Sequence, residues 1–251
     1  MTLAISPLVN GEPVRSGPVE AELASDSSVI VAGRPFTVAL RLKMAPHWHT
    51  YWENPGESGM PTKIRWALPE GFSAGALRYP APKRYELAGF VTFAHEGEVF
   101  LLTEIQPPAS LAAGSSVTIM GTASWLACDP NRCVPGRAEL SLTLKVAAEG
   151  SKPNQWTARI TKARASLPAP LVADRQGVVL TAKLPDDRES AAAKSGVFFP
   201  STPGVKPDSS VVVKDLRATV SLQKAGDDPI PATVAGVLVL DSGKAFALQT
   251  P

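Results

Sequence analysis

Phe36, Val38, Leu40 and Leu42 alternate with Thr37, Ala39, Arg41 and Lys43, a period of two that predicts a half-buried strand over Phe36–Lys43. The alternation returns in Glu139–Val146, where Leu140, Leu142, Leu144 and Val146 share one face. Val99–Ile105, apolar on both faces at its start, and Val117–Ala123 read as two further strands. Gly/Pro turns separate these runs, the layout of an immunoglobulin-like β-sandwich.

After Ala147 the pattern changes. Glu149-Gly150-Ser151-Lys152-Pro153 has linker chemistry. Trp156, Ile160, Ala163 and Leu167 then recur at helical spacing behind Asn154, a capping residue, and Pro168 ends the helix. Short apolar runs follow at Val178–Leu184, Gly196–Phe199, Ser210–Val213, Ala218–Leu222, Val237–Leu240 and Ala245–Leu248. The expected organisation is all-β. A flexible lead-in (1–19) precedes an immunoglobulin-like β-sandwich (20–147) and a second small β domain (148–251), with one short helix at the junction.

Composition sharpens this picture in two respects. The 24 prolines disfavour long helices and central ladders, and at 44% hydrophobic residues the chain can bury a real core. A net charge of +2 with no Lys/Arg stripe gives no electrostatic case for nucleic acid or an anionic membrane surface. No apolar stretch approaches the roughly 18 residues of a membrane span. Met1–Asn10 is too short, and lacks the basic start, for a signal peptide.

The only two cysteines are Cys128 and Cys133, in Trp125-Leu126-Ala127-Cys128-Asp129-Pro130-Asn131-Arg132-Cys133-Val134-Pro135. Asp129–Arg132 has turn chemistry that brings the two sulfurs together at the end of a hairpin. A bridge across so short a loop removes little entropy from the unfolded chain, so its first reading is redox exchange rather than stabilisation. A static staple in an exported protein is the alternative; two cysteines without an adjacent histidine do not complete a zinc site. Arg132 favours a thiolate and Asp129 opposes it, and no helix N-terminus is expected nearby to depress a thiol pKa.

With these residues the segment resembles the N-terminal periplasmic domain of the DsbD/ScsB family of thiol:disulfide interchange proteins. His47-Trp48-His49-Thr50-Tyr51-Trp52-Glu53-Asn54-Pro55-Gly56 and the stretch from Tyr79-Pro80-Ala81-Pro82-Lys83-Arg84 to Gly89-Phe90 are similar to segments of ScsB-type members. The resemblance covers roughly residues 20–147, and the remainder is similar to the second β domain of ScsB-type ectodomains. It implies a periplasmic thiol:disulfide oxidoreductase without a cofactor, the soluble part of a membrane-embedded parent. Electrons would come from a thioredoxin-like domain and pass to a periplasmic disulfide isomerase or thioredoxin-like protein. By the same resemblance Cys133 forms the mixed disulfide and Cys128 resolves it. Tyr85, Glu86, Leu87, Ala88, Gly89 and Phe90 correspond to a cap loop that shields the pair. Tyr51, Trp52, Trp125, Asp129 and Arg132 would surround it. Cytochrome c biogenesis and copper tolerance are further associations of the family. The four-residue intercysteine loop, and a cap without an aromatic pair before Gly89, depart from its best-known members.

Other chemistry has less support. His47 and His49, if both lie on a strand, share a face and suit copper, or else form a polar rim at a strand end. Glu53, Glu57 and Glu96 are acid/base candidates without a fixed separation. No nucleophile-elbow motif is present. A two-domain docking module with a structural disulfide remains the competing class.

Overall fold

The computed structural model describes residues 11–87, 89–150, 152–207 and 209–251. Its first strands are β1 (Val14–Ser16), β2 (Val19–Ser25), β3 (Val29–Val31), β4 (Phe36–Met44), β5 (His49–Gly56), β6 (Lys63–Ala67) and β7 (Ser73–Ala74). Next come β8 (Lys83–Leu87), β9 (Phe90–Glu96), β10 (Glu98–Gln106), β11 (Ser116–Cys128), β12 (Cys133–Ala147) and helix α1 (Thr157–Ala165). The remainder comprises β13 (Ala169–Val172), β14 (Asp174–Gln176), β15 (Val179–Lys183), α2 (Arg188–Ala192), β16 (Gly196–Pro200), β17 (Ser210–Lys214), β18 (Arg217–Ser221), β19 (Ala235–Leu240) and β20 (Ala245–Gln249). The all-β expectation, with an immunoglobulin-like sandwich first, holds.

Two compact units are interleaved along the chain rather than divided at one point. The first holds the described residues through Thr50, with Thr62–Pro80 and His95–Ala165; the second holds Tyr51–Pro61, Ala81–Ala94 and Ser166–Pro251. In the first unit one layer runs β1-β2-β4-β10-β7. The other is built on β11, with β12 and then β3 on one side and β6 and the start of β5 on the other. Leu23, Leu40, Leu42, Leu101 and Ile105 meet Ile119, Trp125, Leu140, Leu142 and Leu144 between the layers. This core follows from the alternation that the sequence shows in β4 and β12.

Across the β11–β12 hairpin Trp125 lies directly opposite Gly136. A Cβ on Gly136 would stand 2.2 Å from Trp125 Nε1, so only glycine leaves room for the indole. Residues 14–19, read in the sequence as part of a flexible lead-in, instead enter the sheet. β1 and β2 form a hairpin around Gly17 (φ 59°), and Val19 is fully buried. Edge pairing and burial of the apolar positions outweigh the local proline content. The expectation for Met1–Asn10 concerns residues outside the described ones.

The helix expected behind Asn154 forms as α1 and belongs to the first unit. Asn154 Oδ1 accepts the Trp156 N–H at 2.8 Å, and the Thr157 hydroxyl donates to the Asp26 carbonyl at 2.7 Å. Ile160 is fully buried. The buried Arg41 of β4 reaches Glu20 at 3.0 Å, Glu98 at 2.6 Å and also Glu22, while its guanidinium sits 5.4 Å from the Trp156 ring centre. Arg159 of α1 pairs with Glu98 as well. Burial would raise the Glu98 pKa, but hydrogen bonds from Arg159 and Arg41 hold it below the usual range. At Glu22 burial prevails and raises the pKa.

The second unit contains two four-stranded sheets, β13-β20-β19-β16 and β14-β15-β18-β17, packed around Leu180, Phe198, Val220, Leu238 and Phe246. It also holds most of the β8–β9 hairpin and Tyr51–Gly56 of β5. There Trp52, Phe93 and Phe199 meet edge to face, with centroids 5.0–6.5 Å apart.

Gly136→Val is expected to destabilise the first unit by about 1–3 kcal/mol through overpacking. Trp125→Leu in the same chain should recover part of that loss; thermal melts of the two variants and their combination check this. His95 on β9 is buried, Nε2 has no hydrogen-bond partner among the described residues, and burial lowers its pKa from 6.5 to about 4. The native state therefore keeps it neutral where the unfolded chain takes up a proton. The resulting stability is complete above pH 6.5 and is lost as pH falls to about 4, by roughly 3 kcal/mol. Urea midpoints between pH 7 and 4 should fall in the wild type and flatten in His95→Leu.

Candidate active site

β11 and β12 pair without interruption from Ser116↔Lys145 to Cys128↔Cys133, so the two cysteines are the last rung of the ladder. They form a disulfide, with Cα atoms 4.1 Å apart. Asp-Pro at the start of the loop suits the first two positions of a tight turn. The Asp129 N–H donates to the Arg132 carbonyl at 2.9 Å. Asp129 Oδ1 in turn accepts the N–H groups of Asn131 and Arg132, at 2.8 and 2.9 Å. These bonds, that from Asn131 first, hold the Asp129 carboxyl below its ordinary pKa.

Parity along β11 decides which way the sulfurs face. Ala123, Trp125 and Ala127 point into the sandwich core, so Cys128 belongs to the outer face of the sheet. It is nonetheless 0% exposed, whereas Cys133 is exposed. Cys133 is thus the residue of the pair that a partner thiolate can approach, and Cys128 is withheld.

On the other side of β11, His49 of β5 lies directly opposite Cys128. Opposite residues of antiparallel strands project to the same face, with Cβ atoms about 4.5–5.5 Å apart. His49 is buried, and burial lowers its pKa, while Glu96 and Asp129 act in the opposite direction. Arg132 lies over the Trp48 ring, 5.5 Å from its centre, with Nε 4.0 Å from Asp129 Oδ2. Asp129 therefore acts against the charge that Arg132 would bring to a thiolate.

Of the residues singled out in the sequence, Cys128, Cys133, Asp129 and Arg132 come together here. Trp125 sits three residues before Cys128 but is buried in the core against Gly136, because its parity is opposite to that of the cysteine. Tyr51 and Trp52 belong to the second unit and are buried there; the Tyr51 ring lies against Gly59, where an added Cβ would stand 2.3 Å from it. Tyr85, Glu86, Gly89 and Phe90 lie at the tip of the β8–β9 hairpin, also in the second unit. Leu87 pairs with Phe90, Gly89 has φ 82°, Phe90 is 51% exposed, and Ala88 lies outside the described residues.

The copper reading of His47 and His49 required both on one strand, and the structure corrects it. His47 stands in a turn before β5, exposed and with φ 69°, where the Trp48 N–H bonds the Ala45 carbonyl; His49 is buried on the strand. Glu53 and Glu57 are structural acceptors, Glu53 from the Ser201 hydroxyl at 2.6 Å and Glu57 from the Val91 N–H at 2.7 Å. Sequence reasoning did not place Trp48 or Glu96 beside the cysteines and weighed His49 as a copper ligand or part of a polar rim. Cross-strand register, the signal that finds them, is not local in sequence.

Residues 17–145 match the family described as thiol:disulfide interchange protein DsbD, N-terminal. Among curated proteins nothing matches. The crystal structure of the N-terminal periplasmic domain of ScsB from Proteus mirabilis is similar over 96% of this chain and 97% of its own, at 17% identity and TM-score 0.66, a likeness of fold. The periplasmic chaperone SfaE aligns at TM-score 0.24 and 10% identity over 91% of this chain and 98% of its own. The pilin subunit BcpA of Bacillus cereus aligns at 0.30 and 12%, over 95% and 64%. These two alignments are too weak to bear on the fold.

After reduction, iodoacetamide should modify Cys133 at least about tenfold faster than Cys128, since only accessible thiolates alkylate readily. Timed quenching and peptide mass mapping check this. Equal rates would mean that the burial difference disappears when the bond opens.

Proposed function

The chain belongs to the family of N-terminal domains of the thiol:disulfide interchange protein DsbD, and from that membership we propose that it relays reducing equivalents between periplasmic proteins through Cys128 and Cys133. The observation that carries this reading is the pairing of one exposed and one buried cysteine on the outer face of the continuously paired β11–β12 hairpin. A staple gains less from a loop this short than from one that ties distant segments. An exchange centre needs one sulfur that a partner can reach and a second held against it.

In the proposed cycle a thioredoxin-like donor attacks Cys133 Sγ with its thiolate, and Cys128 leaves as a thiolate and takes up a proton. The donor's second thiol resolves the mixed disulfide, which leaves Cys128 and Cys133 reduced and the donor oxidised. The Cys133 thiolate then attacks the disulfide of an acceptor, a periplasmic disulfide isomerase or thioredoxin-like protein. Cys128 closes back onto Cys133 and releases the acceptor as a dithiol. Two electrons and two protons pass in each half-cycle.

The cap role is assigned to Tyr85–Phe90 from the family resemblance. Gly89, at φ 82°, supplies the turn at this hairpin tip. A membrane-embedded parent belongs to the same proposal.

Cys128→Ser should trap Cys133 in a stable mixed disulfide with a thioredoxin-like protein, and Cys133→Ser should trap at least about tenfold less. Non-reducing gels and intact mass read both adducts. No adduct with either variant would leave the bond a staple and remove the relay.

A further inference from the structure

We infer that His49 is the proton acceptor for Cys128, taking the thiol proton as Cys128 closes the disulfide. The inference rests on the exchange reading above and names a residue which that reading does not assign. It stands first on register. His49 is the cross-strand partner of Cys128, both are buried, and both belong to the sheet face away from the sandwich core.

The chemistry requires such a group. Cys133 is exposed and can lose its proton to water, but Cys128 is fully buried, and burial in low dielectric disfavours its thiolate. In the resolving step the proton leaves Cys128 Sγ, the Cys128 sulfur bonds to Cys133 Sγ, and the bond from Cys133 to the partner sulfur breaks. The electron pair departs with the partner thiolate, and the proton passes from the imidazole to solvent or to that thiolate. In the reverse direction the same imidazole, once protonated, returns a proton to the leaving Cys128.

The groups that face His49 are Cys128 from β11, Glu96 from β9 and Asp129 from the turn, with Arg132 beyond Asp129. His95, next along β9, alternates to the opposite face from Glu96. Burial keeps the imidazole neutral at rest and so able to accept a proton, while the two carboxylates favour the imidazolium once it forms. An electropositive helix end is not needed to ionise the thiol, and Arg132, already opposed by Asp129, is not needed either.

The test separates the two sulfur steps with 5,5′-dithiobis(2-nitrobenzoate) on the reduced full chain. The first nitrothiobenzoate is released as Cys133 attacks the reagent, and the second as Cys128 resolves the adduct. In the wild type the second phase should hold nearly constant from about pH 8 down to the lowered histidine pKa. In His49→Gln and His49→Phe the first phase should be unchanged. Their second phase should fall about tenfold per pH unit below a thiol pKa that burial holds at or above the ordinary value of about 8.5, and so to at least roughly 30-fold below its alkaline plateau at pH 7. Variant profiles that coincide with the wild type overturn the inference.

A merely structural histidine would slow both phases together, or neither, and would not change the pH profile of one alone. If both variants fail to fold, the wild-type profile decides: a second phase already falling tenfold per unit from about pH 8.5 or above overturns the inference. A wild type that releases only one equivalent would overturn the exchange reading itself, a result distinct from the failure of His49.

Discussion

Everything at the redox pair depends on the register of one hairpin. β11 and β12 run opposite each other from Ser116↔Lys145 to Cys128↔Cys133 without a bulge, and β5 adds His49 opposite Cys128. Since side chains alternate, a slip by one residue would turn every position of β11 to the other face. Trp125 opposite Gly136 opposes such a slip, because the indole fits only where its partner has no side chain. Asp129 closes the free end by engaging two backbone N–H groups. A packing constraint inside the sandwich and a hydrogen-bonded turn outside it thus locate the same two sulfurs.

A second set of interactions ties the helix to the first unit. Arg41 would be costly to bury alone; three carboxylates and the Trp156 ring meet it, and Arg159 shares Glu98 with it. A buried charge of this kind adds little net stability over an apolar replacement, but losing either partner strands the other. The network is therefore better seen as specifying where α1 docks than as a source of stability.

The alternating runs at Phe36–Lys43 and Glu139–Val146, the helix behind Asn154 and most strands of the second unit were legible because each carries its signal within a few residues. β2 and the start of β5 were not: Val19, Ala21 and Leu23 do alternate with Glu20 and Glu22, but this short run follows directly on a proline-rich lead-in, while His49–Trp52 holds polar and aromatic residues that are all buried and so shows no polar face. The cysteines announced themselves by type and spacing. Trp125 was assigned to their surroundings because it is close in sequence, whereas strand parity sends it to the core. His49 and Glu96 could be recognised only once the strands were laid side by side. The interleaving of the two units is likewise invisible to a scan for linkers, since Pro55–Pro61 and Pro80–Pro82, which lie at its crossings, have the same chemistry as turns within one domain.

Cys128 faces away from the sandwich interior although its neighbours Ala127 and Trp125 face into it. Opening and closing the bond consequently asks no core side chain to repack. Substitutions that bear on the exchange chemistry and substitutions that bear on folding then fall on alternate residues of the same strand. The outward set can therefore be changed to alter the pair's surroundings while the inward packing stays as it is.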